Sequence, residues 1–73
     1  MATETICSEV TGSVWKIGAA VGASVEAEDT IMVLESMKME IPVLAPESGK
    51  IIQILVTEGQ AIKEGQELAI IEI

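Results

Sequence analysis

Lys38 stands between two methionines, in the run Glu35-Ser36-Met37-Lys38-Met39-Glu40. A lysine amine on a fixed support can attack an activated acyl group and form an amide. The attack needs the neutral amine, and the neighbouring residues supply no base. A second protein must therefore position and deprotonate it. The rest of the chain offers little chemistry. There is no His, which removes histidine acid–base catalysis and the usual zinc ligands. The single cysteine, Cys7, cannot form an internal disulfide and is expected to be a small, partly buried strand residue. The carboxylates are scattered over turn signals. No catalytic set can be assembled from these residues, so the chain is expected to be a non-catalytic protein.

The elements that position Lys38 repeat around it. Offset by 37 residues, Gly12 aligns with Gly49, Ile17 with Ile54, Gly22 with Gly59 and Glu35 with Glu72, without a gap. Val14/Ile51, Val25/Ile62, Ile31/Leu68 and Val33/Ile70 pair apolar with apolar. Such self-similarity marks a repeated structural unit. Two copies suggest a pseudo-two-fold domain, residues 1–36 and 38–73, with Lys38 at the joint. Internal symmetry also accounts for the paired carboxylates Glu35 and Glu72 without catalysis.

Short β-branched runs alternate with Gly, Pro and acidic turns, which reads as strands. The expected strands lie near 4–9, 12–18, 24–26 and 30–36, then near 39–45, 49–56, 61–63 and 67–73. No stretch reads as a helix of useful length. Many short strands at regular spacing imply a sandwich or barrel. The strands near 30–36 and 39–45 need a tight hairpin, and a two-residue turn of Met37 and Lys38 fits the spacing. Primed turns want positive φ, which Asn and Gly adopt cheaply and Met and Lys do not. Two methionines at an exposed tip also put apolar surface in water. A local rule broken at one point is where function is expected. The symmetry further places the chain termini together, at the end opposite Lys38.

Composition sets the remaining bounds. Seventy-three residues make one domain, spanning 1–73, near the lower limit for a single core. Hydrophobic residues are 49% of the chain and aromatics 1%, so Val, Ile, Leu, Ala and Met must build that core. The net charge of −8, with no Arg, disfavours nucleic acid and anionic membranes as partners and favours a partner with a basic face. No signal peptide and no apolar run of membrane length is evident. A cytoplasmic location and a monomer in isolation are the expectations.

Glu35-Ser36-Met37-Lys38-Met39 resembles the Glu-Ala-Met-Lys-Met signature of the biotinyl, or biotin carboxyl carrier, domain family. Gly12-x-Val14-x-x-Ile17 and Gly22-x-x-Val25 resemble the first half of that family's framework. Ala45-Pro46-x-x-Gly49 and Glu58-Gly59-x-x-Ile62-x-x-Gly65-Gln66-x-Leu68 resemble its second half, so the likeness covers the whole chain. Four departures stand out. Ser36 replaces the usual Ala, Ser8-Glu9-Val10-Thr11 lacks the usual Ala-Pro, Ala23 and Gln60 replace an acidic residue, and Glu28-Asp29 stands where Gly-Gln is usual. The three that fall in turns put local stability in question rather than the attachment chemistry.

The resemblance implies an all-β fold, a flattened antiparallel sandwich (a barrel-sandwich hybrid) of two four-stranded sheets with the lysine at a hairpin tip. It implies biotin as cofactor, joined by a biotin protein ligase to Lys38. It implies Met37 and Met39 as the recognition shell, with Glu35 and Ser36 completing the signature. The implied partners are a biotin carboxylase and a carboxyltransferase, between which the cofactor shuttles activated carbon dioxide. The identity of the carboxyl acceptor is left to the carboxyltransferase. The related lipoyl carriers share the fold and the lysine but usually carry Asp-Lys-Ala, so Met37 and Met39 favour biotin; a carrier accepting both is the alternative. An unmodified adaptor of the same architecture would lack the tip lysine.

Overall fold

Alternating apolar residues leave each strand with one face to bury, and eight such strands close on each other here. A computed structural model describes residues 2–73. The strands are β1 (Thr3–Cys7), β2 (Gly12–Ile17), β3 (Ser24–Val25), β4 (Thr30–Ser36), β5 (Met39–Leu44), β6 (Gly49–Ile54), β7 (Ala61–Ile62) and β8 (Glu67–Glu72). Each lies at an expected position: β4 has the expected bounds, β1 starts one residue earlier, and the strands other than β4 end one or two residues sooner. Among the described residues there is no helix, and thus none long and apolar enough to cross a membrane.

Two four-stranded antiparallel sheets form, ordered β1-β8-β6-β3 and β5-β4-β2-β7. Adding 37 to each strand of the first half maps one order onto the other, so the sheets are pseudo-two-fold copies. The irregularities repeat as well. The ladder shift between Val14 and Lys16 in β2 recurs between Ile51 and Gln53 in β6, bulging Trp15 and Ile52 outward. Each sheet mixes strands from both halves, because β1 pairs with β8, β3 with β6 and β2 with β7. Neither half can close its ladders alone.

The inward residues Val14, Ile31, Met32, Leu34, Ile51, Ile62, Leu68 and Ile71 are essentially inaccessible. They are aliphatic or thioether side chains, as the near-absence of aromatics requires. Ile73 N donates to Ala2 O at 2.8 Å, and Thr3 faces Glu72 across the β1–β8 ladder, so the termini meet. From there β1 leads away to Gly12, which abuts Glu35. The molecule is 36 Å long and 17 Å across, and Lys38 occupies the end remote from the termini.

Cys7 corrects its expected burial: it is exposed. Ile6 points into the core, and period-two alternation sends the next side chain outward. The turn departures are mostly compensated. Buried Ser8 donates its hydroxyl to Val10 O at 2.6 Å and accepts from Val10 N at 3.2 Å, tying the turn where a proline is usual. Asp29 Oδ2 accepts from Glu26 N at 2.9 Å, as Gln66 Oε1 accepts from Lys63 N at 3.0 Å. Ala23 cannot supply the side-chain acceptor that Gln60 offers to Thr57 N at 3.1 Å, and Glu28 carries backbone strain. Its φ is 72°, in the left-handed region where its counterpart is Gly65 at 86°.

Candidate functional site

The hairpin tip begins with register. β4 and β5 pair Leu34 with Ile41, Glu35 with Glu40, and Ser36 with Met39. That leaves Met37 and Lys38 alone between the strands. Their φ values are 52° and 65°, both left-handed, as a type I′ turn demands. A non-glycine side chain in that region costs about 1–2 kcal/mol. Of the three described non-glycine residues with positive φ, two are this turn. The surrounding structure must over-determine the strain for it to persist.

Three contacts do so. Leu34, four residues before Lys38, is fully buried and anchors β4. Gly12 lets β2 come so close to β4 that a Cβ there would fall against the Glu35 carbonyl. Ser36 Oγ donates to Thr11 O at 2.8 Å. Thr11 Oγ1 in turn accepts from Glu64 N at 3.2 Å, linking the base of the hairpin to the turn before β8. The support stops there. Met37 is 88% exposed, Met39 59% exposed, and Lys38 is exposed between them. The tip is a fixed base carrying a solvated triplet.

Pleating divides the signature residues. Glu35 and Glu40 lie on one face, and Ser36 and Met39 on the other, which is also the face of Leu34 and Ile41. Glu35 is exposed and Ser36 half-buried. All five residues singled out in the sequence are thus brought to one end of the molecule, but Ser36 is turned inward as a brace. Sequence reading missed that brace, its acceptor Thr11, and Glu40 as the cross-strand partner of Glu35. The spacing around a two-residue turn could have identified Glu40, since it dictates that residues 35 and 40 pair. Nothing in the sequence signalled the Ser36–Thr11 bond. Among the described residues no group of three or more His, Cys, Asp or Glu could hold a metal ion.

An attached group fits this geometry. Lys38 is exposed at the end of the hairpin. A groove of about 350 Å³ opens between β1 and β5, but none of residues 35–40 lines it. The arrangement can present a modified lysine to other surfaces; it cannot enclose one.

Comparison with known proteins agrees with the fold. The family model described as "Biotin-requiring enzyme" matches residues 2–71. A biotin/lipoyl attachment protein of Bacillus subtilis is 36% identical over 64 residues, covering 88% of each chain. Urea amidolyase of Saccharomyces cerevisiae is 41% identical over 69 residues, 94% of this chain but 4% of the enzyme. The crystal structure of Kluyveromyces lactis urea carboxylase superposes with a TM-score of 0.93 at 42% identity, over 99% of this chain and 6% of the other. The chain therefore spans nearly all of one small relative and a small part of two large ones. With the match running through both pseudo-symmetric halves, the chain belongs to the biotin-requiring enzyme family, as one of its biotin/lipoyl attachment domains.

Proposed function

We propose that this chain is a biotin carboxyl carrier, a single domain of residues 1–73 that is itself non-catalytic and serves a biotin-dependent carboxylase. The observation that carries the reading is the Met37–Lys38 turn. Both residues sit in a backbone region that suits Asn-Gly, at about 1 kcal/mol or more each, and both side chains are exposed. Stability gains nothing from that choice, so recognition is the reason for it.

Lys38 is the attachment residue. Its Nζ, deprotonated by a biotin protein ligase, forms the C–N bond to the activated cofactor carboxyl, and the leaving group departs with the bonding pair. One cation becomes a neutral amide, taking the formal charge from −8 to −9. Met37 and Met39 offer flexible, polarisable contacts that suit several partner surfaces in turn. Glu35 adds charge on the outer face. Ser36 positions the tip through Thr11. When bound, biotin supplies the carboxyl-carrying chemistry between a biotin carboxylase and a carboxyltransferase; the protein supplies placement and a high local concentration. The same reading puts the chain in the cytoplasm with these partners, as a monomer when isolated.

A second reading is favoured by one observation. The Bacillus subtilis relative is a biotin/lipoyl attachment protein by name, so lipoate is a candidate for the same amine. Intact mass after treatment with a biotin ligase or a lipoate ligase separates the two. A biotinyl increment on the wild type that is lost in Lys38→Arg supports the biotin reading, because a guanidinium cannot serve as the acyl acceptor. A lipoyl increment alone, or biotin retained on Lys16, Lys50 or Lys63 in the Arg variant, overturns it.

A further inference from the structure

Trp15 is the only aromatic residue of the chain, and it lies outside the core, 51% exposed. The bulge in β2 puts it there. Val14 before it points inward and is buried, so the inserted residue turns outward and stands with Lys16 opposite Val33. Val33 in turn faces Pro42, which makes an apolar row, Trp15–Val33–Pro42, across the outside of β2, β4 and β5. The next row towards the tip is Ser13–Glu35–Glu40, on the same face by the strand period of two. Glu35 is thus a diagonal neighbour of Trp15, about 7–8 Å away and within reach of a long side chain.

The twin face on the other sheet is built differently. Its apolar row is Ile52–Ile70–Thr5, without an aromatic, and its other row is Lys50–Glu72–Thr3, where the carboxylate has a cation beside it. Below the tip, Ser13 replaces that lysine and Glu40 replaces the threonine, so the row holds two carboxylates and no cation. Lys16 lies beyond Trp15 from the tip. Glu58 Oε2, which accepts from Ile17 N at 3.0 Å, brings a carboxylate to the next backbone amide.

We propose that this face docks an arginine of a partner protein, with an apolar residue two positions away in the same extended segment. The guanidinium lies flat on the Trp15 indole and its fork donates to Glu35, with Glu40 adding attraction. Arginine fits better than lysine, because a planar fork can stack and bridge at once. The apolar residue covers Val33 and Pro42. Alternate residues of an extended segment stand about 6.7 Å apart, close to the roughly 7 Å from β2 to the middle of the β4–β5 pair. The segment therefore crosses the strands and uses no sheet edge. The chain has no Arg, so a second copy cannot supply the occupant. The inference goes beyond attachment at Lys38 and does not depend on what that lysine carries.

The test titrates the ¹⁵N-labelled protein with the capped peptide Ser-Arg-Ser-Leu-Ser, in which Arg and Leu share a face when extended. The same peptide with citrulline for Arg is the control, alike in shape but uncharged. Trp15 emission reports the contact directly, as the only aromatic signal in the mixture. The expected result is a saturable change with a Kd on the order of a few millimolar. Amide shifts should be confined to β2, β4 and β5, and affinity should fall as salt rises. The citrulline peptide should bind about tenfold more weakly. Glu35 and Glu40 are exposed, so the E35Q/E40Q variant should keep its fold and lose affinity by a similar factor. Trp15→Ala, followed by amide shifts, should weaken binding about threefold. Shifts on the twin face of β1, β6 and β8, no saturation, equal binding of the citrulline peptide, or unchanged affinity in either variant each overturn the proposal. So does concentration-dependent dimerisation through Trp15, which would make a second copy the occupant.

Discussion

Glu35 and Glu40 face each other across the β4–β5 ladder, the second pair in from the turn that carries Lys38. The pseudo-two-fold provides an internal control for this arrangement. At the far end, the equivalent Glu72 lies between Thr3 on β1 and Lys50 on β6. At the tip, Glu35 lies between Glu40 and Ser13. One end balances its carboxylate with a cation; the other sets two carboxylates opposite each other, which is unfavourable in a cross-strand pair. Negative charge is concentrated where the lysine is presented.

Glu40→Lys should therefore stabilise the protein by about 0.5–1 kcal/mol at low salt, by turning a like-charge pair into an opposite one. The gain should shrink at high salt, since both groups are exposed and screened. Urea unfolding at two ionic strengths checks it. A loss of stability, or a gain indifferent to salt, would show that the pair is not electrostatically coupled.

Gly12→Ala and Gly49→Ala make a matched pair. Each new Cβ meets a backbone carbonyl, that of Glu35 in one case and Glu72 in the other. Each should cost about 1–3 kcal/mol through overpacking. Only Gly12→Ala displaces the base of the Lys38 hairpin, so only it should also slow ligation by a biotin ligase under conditions where both variants are folded. Equal ligation rates would separate the tip from this contact.

Glu28→Gly should stabilise the protein modestly. Left-handed backbone costs a side chain about 1 kcal/mol, and the entropy of a new glycine returns about half of that. A net gain of roughly 0.5 kcal/mol follows. The reciprocal change Gly65→Glu should lose a similar amount, because a Cβ at Gly65 meets nothing within 4 Å and backbone strain acts alone. Melting temperatures of the two variants moving in the same direction would contradict this account.

Met37→Asn tests whether stability was traded for recognition at the tip. Asn tolerates left-handed φ, so the variant should gain up to about 1 kcal/mol. Ligation to Lys38 should slow, because an exposed thioether has been removed from the presented triplet. A variant that is both more stable and an equally good ligase substrate would leave the methionine without a role.

Met39→Ala should leave unfolding nearly unchanged, since the side chain is 59% exposed beyond the end of the core. Carboxyl transfer from the biotinylated variant should be slower than from wild type. Unchanged transfer together with a melting temperature lowered by several degrees would assign Met39 to packing instead.

The sequence by itself determined the strands, the turns and the joint. These are local properties: β-branched alternation, glycine at sharp bends, and a repeat whose offset aligns Gly12 with Gly49 and Glu35 with Glu72. The two-residue turn at Met37 and Lys38 followed from the spacing alone, and so did its unsuitability for those residues. Partner choice was not local. Alternation says which face a strand buries, never which strand lies beside it, and only tertiary structure showed β1 crossing to β8 and β3 to β6. Long-range closeness decided the rest. Gly12 and Gly49 are required by carbonyls 23 residues further along the chain (Glu35 and Glu72). The Ser36 hydroxyl found its acceptor, Thr11, across 25 residues. Cys7 turned outward because the ladder fixed Ile6 inward. The half-covered groove between β1 and β5 exists because two sheet edges meet there, which no single strand encodes.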